Sequence, residues 1–353
     1  MKKILLLIAA FTTLECGAQS FSSVPSATLE HNGEVTIYYG AAAFAAAYQA
    51  AADTLDVIYL SAGEFNNPGV IQKSITVYGV GFETDPATSV LRTSIAGELD
   101  ITPAEGKKVG GCHFEGIWFN SHFDINRVTV NEEDLHVYNI SLIKCGVNGS
   151  IRLQAPTHFT TIRQCRVKDD IAGSGNDNYG AAQSLLITNC HIGGRICNFP
   201  LSVTNMSSVV VDHCVLSYRT YNDYYHGPYI YNNTIFTADY YGGQVSQGAT
   251  LNYCVYYGRD NYPARCSGVG NYFGIRDWAN VFTEPDKATP NYDETRTFAV
   301  KEELVGSDGT PVGVAGGFGW HKFTSLPRVT ELSTALSEDA KKVTVTIKAD
   351  VPE

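Results

Sequence analysis

The chain predicts an all-β solenoid, in which short strands stack coil upon coil. Three observations carry that reading. A four-residue phrase recurs through the middle of the chain. One run of strong helix formers precedes it. The composition is rich in Gly, Tyr, Asn, Ser and Thr, and only 17% of residues are charged. The copies of the phrase are Gly116-Ile-Trp-Phe119, Asn139-Ile-Ser-Leu142, Gln164-Cys-Arg-Val167, Asn189-Cys-His-Ile192, His213-Cys-Val-Leu216, Asn232-Asn-Thr-Ile235 and Tyr253-Cys-Val-Tyr256. Their second residues recur every 19 to 25 positions. A period in this range with strand-like content marks a solenoid, whose repeats bury their apolar faces against one another. With 353 residues, 44% of them hydrophobic, the chain can fill a long core, and a solenoid need not divide into domains by length.

From the N-terminus, residues 1–18 read as a secretory signal. Lys2 and Lys3 are its charged start, Ile4 to Phe11 its apolar stretch and Cys16-Gly-Ala18 its small-residue cleavage site. Eight apolar residues are too few to span a bilayer, and no later stretch is long enough. Cys16 offers lipidation as an alternative, against which Glu15 stands where a small residue is wanted. The expectation is an exported chain: periplasmic, outer-surface or secreted. Residues 19–36 read as a polar lead-in. Gly40 to Ala52 is Ala-rich and reads as a helix, with Phe44 and Tyr48 on one face. Val57 to Leu60 and Ile75 to Gly81 read as strands, with a turn at Ser61 to Phe65 between them. Lead-in and helix fill 19–55, the solenoid 56–285 and a β-rich tail 286–353.

Within each repeat, Ile162 and Cys165, Ile187 and Cys190, and Val211 and Cys214 lie three apart. Strand alternation separates inward residues by two or four, so a corner falls between them. The residue before the Cys slot takes the bend in a left-handed conformation, which Asn tolerates better than most. Asn139, Asn189 and Asn232 fit, with Gln164 and His213 as variants. Each coil then has two strands around the corner and a third after a loop, with candidates at Ser150 to Leu153, Arg195 to Asn198 and Gln244 to Ser246. Eight cysteines follow residue 18. Cys165, Cys190, Cys214 and Cys254 share one slot among apolar neighbours, which favours packed free thiols over disulfides. The spacings do not suggest zinc.

The order Ala-rich helix, "VIYLSAGEF", "SITVYGVGF" resembles the opening of right-handed parallel β-helix proteins of the pectin-lyase-like superfamily. The resemblance implies that the helix plugs the N-terminal end of the coil. It also implies an asparagine ladder, in which corner amides bond to one another from coil to coil. The tail "GSDGTPVGVAGG" at 306–317 is similar to that of uncharacterised exported β-helix proteins of Bacteroidetes. The fold expectation is thus a right-handed parallel β-helix with an N-terminal capping helix and a β-rich C-terminal tail.

Without residues 1–18, the 25 basic residues lose Lys2 and Lys3 and the 36 acidic ones lose Glu15, leaving a formal net of −12. That charge disfavours nucleic acid, whose phosphates need a basic face. Three places could carry chemistry. The loop Lys168 to Gly180 holds Asp169, Asp170 and Asp177 among glycines, which suits either oxygen ligation of calcium or an Asx-bonded turn. Arg163, Arg166 and Lys168 form a basic column beside it. In pectate-lyase-like enzymes a calcium neutralises the uronate and an Arg or Lys takes the ring proton, so this column supplies candidate bases. Third, twelve of the 21 tyrosines lie between Tyr218 and Tyr262. Tyr joins a flat apolar face to a hydroxyl, which suits sugars and protein partners. Tyr221, Tyr224, Tyr225, Tyr240 and Tyr241, in the loops, are the candidate ligand contacts. The sequence therefore points to a non-catalytic exported protein that binds a glycan or cell-surface component through Tyr-rich loops. The alternative is a calcium-dependent polysaccharide lyase.

Overall fold

A computed structural model describes residues 24–52, 56–84, 91–104, 107, 109–125, 137–154, 157–174, 182–199, 207–217, 227–237, 245–258, 260–262, 265–284, 298–324, 328–336 and 343–350. The chain forms a β-solenoid of parallel strands. Four sheets run along it, which we number I to IV, with eleven, nine, five and four strands. One coil shows the circuit: Val137–Tyr138 in sheet IV, Ser141–Ile143 in sheet I, Gly146–Val147 in sheet II and Ile151–Leu153 in sheet III. Sequence reasoning expects three strands per coil; the fourth, in sheet IV, is only two residues long and too short for periodicity to register.

In-register pairing stacks like on like. The inward column of sheet I runs Ile58, Val77, Phe114, Leu142, Ile162, Ile187, Val211, Tyr231, Leu251, all buried. Tyr231 is the one with a polar tip, and its hydroxyl donates to the Gly227 carbonyl at 2.8 Å. Phe114, Phe119 and Phe123 meet edge to face near the middle of the core.

The coils turn at two kinds of corner, both built on left-handed residues. Between sheets I and II they are Gly116, Lys144, Gln164, Asn189, His213, Asn233 and Tyr253; between sheets IV and I they are Gly111, Asn139, Phe159 and Ser184. This corrects the sequence register twice. Asn139-Ile140 belongs to the second corner, and Lys144-Cys145 takes its place in the first. In the sixth copy the bend is at Asn233 rather than Asn232, with Thr234 in the Cys slot. Both corners carry the same local signature, a left-handed residue followed by an inward one, so spacing alone cannot tell them apart.

The N-terminal end is closed in two ways. The helix, α1, is Ala43–Ala50 and buries Ala43, Phe44, Ala47 and Tyr48. Its last carbonyls lack intrahelical donors; Lys73 Nζ donates to those of Tyr48 and Ala51 at 3.0 and 2.7 Å. The presumed lead-in is instead an antiparallel hairpin, Ser26–His31 with Glu34–Tyr39, turning at Asn32 (φ 51°) and Gly33 (φ 81°). Asn-Gly is the strongest short hairpin signal. The hairpin adds two strands to sheet I, with Ser26–His31 antiparallel to Asp56–Leu60. The expected turn at 61–65 contains a short strand, Gly63–Phe65, which starts sheet II.

At the far end the chain turns back. Residues 298–324 run along the outside of sheet II toward the N-terminal end. They build a second apolar core there, joining Phe282, Phe298, Leu304, Val312 and Val314 to the outward Val215, Ile235 and Val255 of sheet II. The strap ends with Phe323 bridging Gly81 and with Thr324 buried against Gly116, where any Cβ would strike its methyl. The tail closes in a two-stranded antiparallel ribbon, Arg328–Leu336 with Val343–Asp350.

Candidate functional site

The first corner has an inside and an outside, and both are occupied. Inside, the thiols form a ladder. The backbone N–H of Cys145 donates to Cys165 Sγ, that of Cys165 to Cys190 Sγ and that of Cys190 to Cys214 Sγ, each at 3.4 Å. The N–H of Cys214 finds Thr234 Oγ1 at 3.3 Å, so a hydroxyl fills the same role in that coil. Cys165 Sγ and Cys190 Sγ donate onward to carbonyls of the preceding coil, Leu142 and Ile162, at 3.4 Å. A strand that bends cannot keep every amide in its sheet, and an orphaned buried N–H costs about 1–3 kcal/mol. The cysteines supply that acceptor while packing as small hydrophobes. Burial raises the Cys145, Cys165 and Cys190 thiols well above their ordinary range. All eight described cysteines are free, and only Cys266 is not buried.

Outside the corner, the expected asparagine ladder gives way to a different contact. Gln164 Nε2 donates to the Gly319 carbonyl at 3.0 Å, Asn189 Nδ2 to those of Gly316 and Val314 at 2.6 and 3.0 Å. His213 Nε2 meets Thr310 Oγ1 at 3.1 Å, and Asn233 Oδ1 accepts from the Ser307 amide at 2.8 Å. Four successive corner residues thus hold the strap at 306–319, read backwards. Gly306, Gly313 and Gly316 lie so close to Asn233, Ile235 and His213 that a Cβ would sit within 3 Å of each. These glycines of "GSDGTPVGVAGG" let the strap approach. Among the described residues the amide rung between coils is Asn252 Nδ2 to Asn232 Oδ1, 3.0 Å, outside the corner positions.

The strap decides the fate of the predicted basic column. Arg163 and Arg166 lie on opposite sides of the corner, in sheets I and II. The Arg163 guanidinium stands over Phe318 of the strap at 5.1 Å. Arg166 and Arg92 stand over Trp118 at 5.1 and 4.3 Å. Gly146, between Trp118 and Arg166 in the ladder, leaves the indole its space. The next residue in that column, His191, is buried against Phe298 and hydrogen-bonds Ser217 Oγ at 2.9 Å. These cations are structural stacking partners and do not converge on a shared open surface. Lys168 and Asp169 are exposed. Asp170 is engaged: it accepts from the Arg195 amide at 2.7 Å and from Arg195 Nε at 3.0 Å. Asp177 lies outside the described residues.

Sheet III carries a charged cluster in which Arg152 and Glu98 are partly exposed and Asp124 is buried. Its outward column runs Asp100, Asp124, Arg152, Ala172, Cys197 in register. Arg152 Nε donates to Asp124 Oδ1 at 2.6 Å and Nη2 to Glu98 Oε2 at 2.6 Å. Glu98, Asp100 and Asp124 bring carboxylate oxygens within 4.8 Å of one another. Burial, and the neighbouring Glu98, push the Asp124 carboxyl up to about 7 against the pull of Arg152. Burial also works to raise Glu98, but its hydrogen bond with Asp124 and the Arg152 charge outweigh that and hold it below its usual range. Two carboxyls are thus driven apart beside one guanidinium, a polarised arrangement able to accept and donate hydrogen bonds at neutral pH. The sequence hinted at this cluster only through Arg152, since its members are spread over 54 residues.

The candidate tyrosines Tyr221, Tyr224, Tyr225, Tyr240 and Tyr241 lie outside the described residues. The ends of their loops are described. Leu216-Ser217 and Phe236-Thr237 stack on Ile192, at the point where earlier coils pass from sheet II to sheet III. On return, the Gly227 amide donates to the carbonyl of Ile196, in the last strand of sheet III, at 2.8 Å. The described flanks of these segments are thus placed: Ser217 and Thr237 follow the sheet II column, and Gly227 adjoins the last strand of sheet III. Among the described residues no helix is long and apolar enough to cross a membrane. Comparison with protein-family models, with curated proteins and with solved structures gives no match.

Proposed function

We propose that this is an exported, non-catalytic β-helix protein that binds a glycan or another cell-surface component along the sheet III side. The observation that carries the reading is that Gly227, which follows the first Tyr-rich segment, adjoins the last strand of sheet III, the sheet that also carries the Glu98–Arg152–Asp124 cluster and the Asp170–Arg195 pair. An extended chain of sugars suits a ligand-binding strip built of coils about 4.8 Å apart. Tyr faces stack on sugar rings while hydroxyls, carboxyls and guanidinia take their polar edges. On this reading the coil winds right-handed, as in the pectin-lyase-like superfamily it resembles. Lyase chemistry loses support, because Arg163 and Arg166 are stacked on aromatic rings and Asp170 is tied to Arg195.

The test is retention on a panel of immobilised polysaccharides, neutral and uronate-containing, with and without calcium. The reading expects binding that falls at least tenfold in a Tyr224→Ala/Tyr225→Ala double variant and no unsaturated product by ultraviolet absorbance. Calcium-dependent product lost in Lys168→Ala would overturn it in favour of the lyase. Retention unchanged in the double variant would remove the Tyr-rich loops from the site.

A further inference from the structure

The two ends of sheet I are finished differently. At the C-terminal end, an irregular pass covers Thr250–Asn252: Ser267 bridges Thr250, and the Leu251 and Tyr253 amides donate to the Ser267 and Val269 carbonyls at 2.8 Å. At the N-terminal end the last strand is Glu34–Tyr39, and among the described residues nothing pairs with its outer edge. This strand pairs residue for residue with Ser26–His31 without a bulge. Between Val35 and Tyr39 it has no Pro, no Lys and no charge, the devices that normally blunt an exposed edge. Val35, Ile37 and Tyr39 alternate onto one face and are 63%, 50% and 71% exposed.

We propose that a second copy of this chain pairs with that edge, strand against strand, about a two-fold axis through Ile37. A two-fold contact must be complementary to itself. Antiparallel pairing about Ile37 sets Ile37 against Ile37, Val35 against Tyr39 and Thr36 against Tyr38 of the other copy. Aromatic against β-branched is among the favourable cross-strand pairs. Glu34, the strand's one charge, falls opposite Gly40, so the two copies do not oppose like charges. A one-residue slip turns every side chain over; centring on Thr36 sets Tyr39 against Gly33, and centring on Tyr38 sets Tyr39 against Ile37 but takes Val35 beyond the strand, opposite Ala41. The same edge could receive a foreign strand, but only a second copy supplies this match without further chemistry. The dimer joins two solenoids end to end through one continuous sheet and leaves sheet III of both copies open.

Sedimentation of the purified protein tests this. Expected is a dimer of twice the monomer mass that becomes monomeric in Ile37→Lys, with the variant still unfolding cooperatively and its midpoint no longer dependent on protein concentration. Expected too is an Ile37→Cys variant that cross-links to a dimer on mild oxidation and separates on reduction, while Thr28→Cys, one strand in, does not. A wild-type protein that stays monomeric at every concentration overturns the proposal. So does a dimer that survives Ile37→Lys, or one in which Cys at 37 fails to cross-link.

Discussion

Sheets II and III are cut from the same coils and differ in what faces outward. On sheet II the outward column is Trp118, Gly146, Arg166, His191, Val215, Ile235, Val255, and the strap covers it. On sheet III it is Asp100, Asp124, Arg152, Ala172, Cys197, where the partly exposed Arg152 joins the buried Asp124 to the exposed Glu98. The difference teaches that an outward residue of a solenoid is not yet a surface residue. Arg166 looks like a catalytic base when one coil is read alone. It is a stacking partner of Trp118 two strands away, and its neighbour Arg163 stands over Phe318 of a segment more than 150 residues later. Arg152, which no distant segment covers among the described residues, keeps its charge at the solvent boundary.

The contrast can be broken most severely at the covered face. Phe298 is 1% exposed and packs on His191, Phe282 and Trp320. Phe298→Ala is expected to cost about 3–5 kcal/mol in chemical denaturation, as for aromatic truncation in any well-packed core. A cost under about 1 kcal/mol would mean that the strap is not a second core.

A smaller effect is expected at the corner beneath the strap. Cys190→Ala removes the acceptor of the Cys165 amide and should cost about 1–3 kcal/mol. Cys190→Thr should recover most of it, because Thr234 already serves in that slot. Equal losses in both variants would show that volume, and not the hydrogen bond, selects the slot.

The sheet III cluster should reveal itself by pH. An unfolded aspartate titrates near about 3.9, whereas Asp124 in the folded protein holds its proton up to about 7. Between those values the folded state binds the extra proton, so this group's contribution is full at low pH and is lost as pH rises through about 7. Denaturation midpoints of the wild type should carry a downward component across that window that Asp124→Asn removes. An identical pH profile in the variant would place the proton elsewhere. Among the described cysteines, a thiol reagent should label Cys266 in the native protein and the other seven only on unfolding; rapid native labelling of Cys165 would contradict the ladder. Asp169→Ala, at an exposed site, should change stability by no more than about 0.5 kcal/mol.

Much of the architecture is legible in the sequence. The repeat of left-handed corner residues before Cys predicts the parallel coils, and Phe44 and Tyr48 predict the buried face of α1. Asn32-Gly33 was equally readable as a hairpin and its polar surroundings concealed it. The corner register was not readable at Asn139, where two corners share one local signature. The charged site was not readable either, because Glu98, Asp124 and Arg152 meet only when three coils stack in register.

By itself, then, the sequence determined the coil: where the backbone bends and which residues turn inward are local consequences of φ, ψ and alternation. The tertiary structure alone decided what each outward face is for. Those faces depend on strand register between coils and on the path of the strap, and both are set by contacts between residues far apart in the chain.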